Sequence, residues 1–267
     1  DGEKPPLFVM IHGGGFAEGP SQSRQSVLTY QDLRAAGYAC ASINYRLSGE
    51  AIYPAAIEDC KAAIKFLKAH ADEYGYDCSK IACWGESAGG YLASMMAVTG
   101  NEEYASLPYI GEDEAHPYTA EIGALVDFYG IIDFDLALKD FDELGVARWL
   151  LSFVGSNDNG ASSYPGKFLG GDVNTFSEEK LWEISPSRRV KQAFDRPNFQ
   201  VYIGHGDIDI TVPYLQSVRL KDAFIEKLGE DHVTFSLEHH LKHADDGFYT
   251  HENLAPVRSF LQSFYGK

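Results

Sequence analysis

A serine lies between two glycines in the segment Gly85-Glu86-Ser87-Ala88-Gly89, which is a G-x-S-x-G motif. The motif follows the apolar run 80–84 and precedes a helical pattern, and this is the strand–turn–helix context that the motif requires. A sharp turn there exposes the serine oxygen at a helix N-terminus, where developing negative charge is stabilised. The pattern predicts Ser87 as a nucleophile; the alternative is a serine that only caps the helix.

A glycine-rich segment, Ile11-His12-Gly13-Gly14-Gly15-Phe16, follows the first apolar run. Glycines allow backbone N–H groups to converge on one point without interfering side chains. Such donors stabilise a tetrahedral oxyanion, and the loss of one typically costs ~3 kcal/mol of transition-state stabilisation. We predict an oxyanion hole formed by Gly14, Gly15 and the backbone N–H of Ala88, with His12 bracing the loop. A flexible glycine loop is the alternative, and a phosphate cradle is disfavoured because no GK[ST] follows.

A serine nucleophile needs a histidine base and a carboxylate that orients the base. Two aspartates, Asp207 and Asp209, lie in the segment HGDIDITVP (205–213), and three histidines, at 239, 240 and 243, lie in LEHHLKHADDGF (237–248). The order Ser, Asp, His along the chain is that of α/β-hydrolases. The residues alone leave both aspartates as candidates. Metal binding by the histidine cluster is disfavoured, because this spacing without a helix gives poorly convergent ligands, and we expect no metal.

Strands and helices that alternate along the chain must position these candidate site residues. Apolar runs, several without polar alternation, predict strands at 7–11, 38–44, 80–84, 124–129, 199–203 and 233–237. Helical patterns begin at Pro54, span 216–228 before Gly229, and recur near the C-terminus. In the first of these helices we expect Lys61 and Lys65 to face outward. The alternation predicts an α/β fold with a mostly parallel sheet flanked by helices.

One irregular stretch, 135–185, has no strand pattern and is long for a connection inside a compact domain. We interpret it as a lid-like insertion within a single domain spanning 1–267. Its aromatic residues could contact a substrate or only pack the lid. The predicted substrate contacts are Phe16, Glu86, Trp149 and Trp182.

The amino-acid composition limits which classes of partner the protein is expected to bind. The chain has 267 residues, with 22 Lys and Arg against 39 Asp and Glu, giving a net charge of −17. This balance disfavours nucleic acid and anionic membrane surfaces. Four cysteines without metal or disulfide spacing are interpreted as free thiols, and no apolar run reaches the ~20 residues of a membrane span. No secretory signal opens the given sequence, which slightly favours the cytoplasm; secretion is the alternative if a signal was removed. The oligomeric state is unknown.

The motifs HGGGF, GESAGGY and HGDIDITVP, in this order, resemble the α/β-hydrolase superfamily. The most similar branch comprises the hormone-sensitive-lipase-like esterases and the related feruloyl and acetyl-xylan esterases. The family pattern H-G-x-x-D-x-x-V-P implies Asp209 as the catalytic acid, and the family position after the last strand implies His243 as the base. Two departures stand out: Leu241-Lys242 replaces the small residues that usually precede the histidine, and the chain starts too late to hold the family's preceding antiparallel strands.

The resemblance implies a serine esterase that needs no cofactor. Because the acidic surface suits neutral sugar esters better than anionic lipid interfaces, we expect short-acyl or plant-polysaccharide acetyl and feruloyl esters as substrates instead of long-chain triglycerides. A small-molecule or carbohydrate ester is then the expected partner. Two alternatives remain from the sequence. One is a peptidase or amidase of the same fold, similar to acylaminoacyl peptidases or arylformamidases. The other is a non-catalytic binding module on the same fold, which is disfavoured because the triad and the oxyanion loop both look intact.

Overall fold

Six parallel strands form one sheet in the order β2-β1-β3-β4-β5-β6 within the residues that the structure, a computed structural model, describes (4–20, 23–101, 103–109, 118–154 and 158–266). All five neighbouring pairs are parallel. The strands overlap the six predicted runs and confirm the predicted fold class. They are β1 (Pro6–Ile11), β2 (Ala39–Ile43), β3 (Asp77–Glu86), β4 (Ala124–Phe128), β5 (Gln200–Gly206) and β6 (Val233–Glu238).

Helices cover both faces of the sheet, which explains why the central strands are apolar on both sides. The helices are α1 (Arg24–Ala35), α2 (Ala55–Ala69), α3 (Ala71–Tyr74), α4 (Ala88–Thr99), α5 (Ala137–Glu143), α6 (Arg148–Val154), α7 (Tyr164–Leu169), α8 (Glu178–Glu183), α9 (Pro186–Ala193), α10 (Leu215–Leu228) and α11 (Ala255–Tyr265). On one face α2, α4, α9 and α10 bury a large apolar core. On the other face α1 and α11 bury a smaller core around Trp84. None of the helices among the described residues is long and apolar enough to cross a bilayer.

The strand order creates a crevice at the carboxyl edge of the sheet. After β1 the chain crosses to β2 on one side, whereas after β3 it crosses to β4 on the other side. The loops that leave β1 and β3 therefore diverge, and such a switch point is where open α/β sheets bind ligands. The glycine loop follows β1 and the G-x-S-x-G turn follows β3, so the topology alone brings these two motifs together.

The insertion 135–185 is helical where it is described, and the expectation of an irregular segment was wrong in this respect. It contains α5, α6, α7 and α8, each of six or seven residues. Short helices of this length show little periodicity in the sequence. Ser163 and Ser177 cap two of them by accepting hydrogen bonds from backbone N–H groups three residues later.

A buried polar node joins the two ends of the insertion. The carboxylate of Asp133, just before it, accepts hydrogen bonds from Ser185 and from Ser187, the latter at 2.7 Å. Arg219 of α10 lies 3.4 Å from the same carboxylate, and the side chain of Gln216 accepts from the backbone N–H of Asp133 at 2.6 Å. The insertion therefore leaves and rejoins the sheet scaffold at one fixed point beside α10.

Lys61 and Lys65 do not face outward as expected. Both are buried, and their ammonium groups donate to the backbone carbonyls of Gly100, Glu103 and Leu107. Burial lowers the pKa of Lys61 to about 8. The two lysines bind the segment that follows α4, so an apparently solvated helix face is covered by a loop distant in sequence.

Candidate active site

The turn between β3 and α4 holds Ser87 in a backbone conformation that L-residues rarely adopt, with φ 54° and ψ −117°. The flanking glycines make this turn possible. A Cβ at Gly85 would lie 1.9 Å from the carbonyl oxygen of Gly89, and a Cβ at Gly89 would lie 2.1 Å from that of Ile11. The motif therefore fixes the serine at the edge of the sheet, directly beside the end of β1.

Three side chains form a continuous hydrogen-bonded chain at this edge. The Oγ atom of Ser87 lies 2.9 Å from Nε2 of His243, and Nδ1 of His243 lies 2.6 Å from Oδ2 of Asp209. The serine comes from the β3–α4 turn, the aspartate from the loop after β5, and the histidine from the loop after β6. The structure thus brings together the three residues that the sequence predicted as a catalytic set, in the geometry of a nucleophile, a base and an orienting acid.

The carboxylate of Asp209 is held on both oxygens. Oδ1 accepts hydrogen bonds from the backbone N–H groups of Thr211 and Val212, at 2.7 and 2.9 Å. Oδ2 faces His243 and also lies 3.4 Å from Nε2 of His205. Burial alone would raise the pKa of Asp209, but the charge of His243 and the hydrogen bonds from both histidines hold this pKa below its ordinary value. The carboxylate therefore stays ionised at neutral pH.

The other residues of the histidine cluster have a separate partner. Nδ1 of His239 lies 2.8 Å from Oδ2 of Asp207, and the backbone N–H of His240 donates to Oδ1 at 2.6 Å. The hydrogen bond from His239 lowers the pKa of Asp207. Asp207 therefore ties down the start of the loop that carries His243, whereas Asp209 contacts His243 itself.

Backbone contacts explain how Leu241, one of the residues that depart from the family pattern, still permits this loop. The carbonyl oxygen of Leu241 would lie 2.1 Å from a Cβ at Gly206, and it accepts a hydrogen bond from the N–H of Ile208 at 3.4 Å. The loop thus packs through its main chain against the end of β5. The ring of Tyr129 then contacts the imidazole of His243 edge-on, with 4.8 Å between ring centroids.

The glycine loop after β1 packs beside the serine. A Cβ at Gly13 would lie 3.3 Å from Cβ of Ser87, and Gly14 and Gly15 both adopt positive φ. His12 is buried, stacks on Tyr45 at 4.4 Å, and donates from Nδ1 to the carbonyl of Gly13 at 2.7 Å. Gly14, Gly15 and Ala88 all line the cleft next to Ser87, and Ala88 is the first residue of α4, where N–H groups lack intrahelical acceptors.

A cleft of about 650 Å³ opens above Ser87 and His243. One part of its wall is apolar, and residues of the insertion form much of the remainder. Ile131 and Phe134 lie before the insertion, and the insertion adds Phe141, Asp158, Asn159, Tyr164 and Pro165. The ring of Tyr164 lies over Gly15 and is 45% exposed, so an aromatic surface borders the glycine loop. No lysine or arginine lines the cleft among the described residues.

The predicted substrate contacts divide into two groups. Phe16 and Glu86 line the cleft, although Phe16 is largely buried in a stack with Phe168, at 3.8 Å between ring centroids. Neither tryptophan lines the cleft, contrary to the prediction. Trp149 is 64% exposed on the outer surface of the insertion, and the ring of Trp182 packs against the guanidinium of Arg189 at 4.7 Å.

Sequence reasoning gave no role to His205 or Tyr129, and it treated Tyr164 only as one of several aromatic residues of the insertion that could contact a substrate or pack the lid. His205 stands four residues before Asp209 within the same motif, and that spacing was the available signal. Tyr129 follows β4, so its position at the carboxyl edge of the sheet could have been inferred. Tyr164 lies in the insertion, and nothing in the local sequence indicates that its ring covers Gly15.

Comparison with known proteins gives consistent matches. Residues 1–224 match the model of the BD-FAE family. A probable carboxylic ester hydrolase, LipM of Mycobacterium tuberculosis, is 38% identical over 48% of this chain and 28% of its own length. Esterase LipQ of the same organism is 26% identical over 100% of this chain and 57% of its own length. The chain thus spans less than two thirds of the length of these relatives.

A solved structure is similar over the whole chain. It is a truncated carbohydrate esterase from gut microbiota, with a TM-score of 0.76, 26% identity, and coverage of 100% of this chain and 88% of that one. The described architecture agrees with this match, and the family model spans well over half of the sequence. The chain therefore belongs to the BD-FAE family, and the resemblance to α/β-hydrolase esterases predicted from its motifs is confirmed.

Proposed function

We propose that the protein is a serine hydrolase that cleaves carboxylic esters through an acyl-enzyme on Ser87. The observation that carries this proposal is the hydrogen-bonded chain from Ser87 through His243 to Asp209, with distances of 2.9 and 2.6 Å. The names of the relatives, a carboxylic ester hydrolase and esterases, support ester hydrolysis as the reaction.

In the proposed mechanism, Nε2 of His243 accepts the proton of Ser87 as Oγ attacks the carbonyl carbon of the ester. The N–H groups of Gly14, Gly15 and Ala88 stabilise the oxyanion. The bond from the carbonyl carbon to the alcohol oxygen then breaks, and His243 returns its proton to the leaving alcohol. Next, His243 accepts a proton from water, which attacks the acyl-enzyme, and Ser87 recovers its proton as the acid product leaves. Asp209 remains ionised and orients the imidazole throughout.

We propose esters of short acyl groups on carbohydrate alcohols as the substrate class. The cleft supports this choice in two ways. Phe134 and Phe141 give it an apolar wall suited to a small acyl group, whereas the exposed ring of Tyr164 provides a flat surface of the kind that sugar rings stack on. The similar structure from gut microbiota is titled a carbohydrate esterase.

The insertion 135–185 is proposed to act as the lid of this site within a single domain. Tyr164 and Pro165 of α7 line the cleft together with Phe141 of α5. The lid therefore supplies part of the surface that would contact the substrate, and differences within it would alter which esters fit.

The test compares the wild-type protein with Ser87→Ala and with Ser94→Ala, a control at a buried serine within α4. Hydrolysis of p-nitrophenyl acetate and labelling by a fluorophosphonate are both expected to disappear only in Ser87→Ala. Retained activity in Ser87→Ala would refute the acyl-enzyme. A parallel panel of acetyl, butyryl, octanoyl and feruloyl esters, acetylated xylan and p-nitroanilides tests the substrate class. Faster cleavage of the anilides would indicate an amidase instead.

A further inference from the structure

A second histidine contacts the carboxylate of the proposed triad. His205 lies near the end of β5, is 0% exposed, and precedes Asp209 by four residues. Its Nε2 lies 3.0 Å from the carbonyl oxygen of Val212 and 3.4 Å from Oδ2 of Asp209. Its Nδ1 lies 2.7 Å from Oγ of Ser217, a buried residue of α10. Both ring nitrogens of this imidazole therefore have partners.

These partners determine where one proton lies. A backbone carbonyl only accepts hydrogen bonds, so Nε2 of His205 must carry a hydrogen that points towards Val212 and Asp209. Ser217 holds the opposite side of the ring, which prevents the imidazole from turning away. The hydrogen on Nε2 is donated to Val212 at 3.0 Å, and Nε2 also lies 3.4 Å from Oδ2 of Asp209, the oxygen that receives the hydrogen bond from His243.

The contact between His205 and Asp209 lies in a fully buried part of the molecule, near another buried carboxyl group. Asp127 of β4 lies on the same face of the sheet, and its fully buried carboxyl is wedged between Gly90 and Gly130. Burial raises the pKa of Asp127 to about 7, and the charge of His205 counters part of that rise. His205 is itself fully buried, so water cannot replace the donor if its side chain is removed.

We infer that His205 is a positioning residue that fixes Asp209 and, through it, the imidazole of His243. The inference rests on the proposed function. Without His205, Oδ2 of Asp209 keeps only the contact with His243, and the two backbone N–H groups on Oδ1 are the remaining restraint on the carboxylate. The base would then spend less time in the orientation that accepts the proton of Ser87.

A double-mutant cycle separates this role from a general structural role. His205→Leu removes both ring nitrogens, and His205→Gln restores an amide donor. We expect His205→Leu to lower kcat for p-nitrophenyl acetate about 100-fold with KM changed less than twofold, and His205→Gln to recover at least a third of that loss on a logarithmic scale. In an Asp209→Asn background either substitution is expected to change kcat less than twofold, because residues that act as a unit are not additive.

The rate of fluorophosphonate labelling of Ser87 provides a second readout for the slow variants. His240→Leu, in the exposed part of the histidine cluster, is the control and should act equally weakly in both backgrounds. Equal losses from the His205 substitutions with and without Asp209 would overturn the inference. If His205→Leu does not fold, the His205→Gln cycle decides the same question. Retained turnover in Ser87→Ala would instead contradict the proposed function, so the two failures are distinguishable.

Discussion

Glu86, the residue before the proposed nucleophile, should make the stability of the fold depend on pH. Its side chain is buried at 5% exposure, and Oε1 has no hydrogen-bond partner among the described residues. Burial raises the pKa of Glu86 from 4.5 to about 8, although a hydrogen bond from Tyr249 offsets part of this rise. The folded protein therefore holds the carboxyl protonated at neutral pH, whereas the unfolded chain ionises it.

The sign and size of the effect follow from proton linkage. Because the folded state binds this proton more tightly, the contribution of Glu86 is greatest below pH 4.5 and is lost progressively as the pH rises towards 8. Each pH unit within this window changes the free energy of unfolding by about 1.4 kcal/mol. Integrated from pH 5 to pH 8, the loss is about 3 kcal/mol for this one carboxyl.

Glu86→Gln keeps the shape and the ability to pair with Tyr249 but cannot ionise. We expect its free energy of unfolding, relative to wild type, to increase by about 3 kcal/mol between pH 5 and pH 8. Urea unfolding at pH 5, 6.5 and 8 and constant ionic strength measures this difference. Glu252→Gln, which alters an exposed carboxyl, is the control and should show no such trend. A difference between Glu86→Gln and wild type that stays constant across the three pH values would refute the reasoning.

Three further predictions concern other parts of the molecule. His243→Ala should lower kcat for p-nitrophenyl acetate by at least 1000-fold and His240→Ala by less than threefold, because only His243 contacts Ser87; the reverse order would exclude His243 as the base. Gly14→Ala should abolish most turnover, since its Cβ would lie 1.9 Å from the carbonyl oxygen of Glu18 at a φ of 106°; unchanged steady-state kinetics would argue against the oxyanion loop. Lys61→Met should speed amide hydrogen exchange in residues 100–109 by at least tenfold, because two carbonyls there lose their donor; unchanged exchange would mean that the lysine does not hold this segment.

The sequence allowed the meeting of Ser87, Asp209 and His243 to be predicted because each of these residues follows the end of a strand. Ser87, Asp209 and His243 follow three strands of one parallel sheet, so the topology alone places them at the same edge. The residue types were also restrictive, since strained turns with close backbone contacts require glycine. Local patterns of this kind can be recognised in the sequence without knowing which distant segments are in contact.

The remaining features depend on contacts between distant segments. Lys61 carries the charge of a surface residue, yet it is buried because the carbonyls of residues 100 and 103 receive its hydrogen bonds. Trp149 and Trp182 are aromatic residues of a kind that is common in binding sites, but the fold of the insertion places them away from the cleft. Tyr164 lines the cleft instead. The burial of Lys61 and the positions of these aromatic residues cannot be predicted from sequence periodicity. They depend on which segments pack against the insertion and against the loop after α4.

The polar node around Asp133 has a consequence for changes made within the insertion. Because Ser185 and Ser187 meet Asp133 at one point, both ends of the stretch 135–185 stay fixed to the scaffold, while Tyr164 and Phe168 within it pack on the glycine loop. Substitutions at cleft-lining positions of the insertion are therefore expected to reshape the cleft wall and to leave the register of the sheet unchanged. The proposed ester preference would then be altered separately from the proposed chemistry.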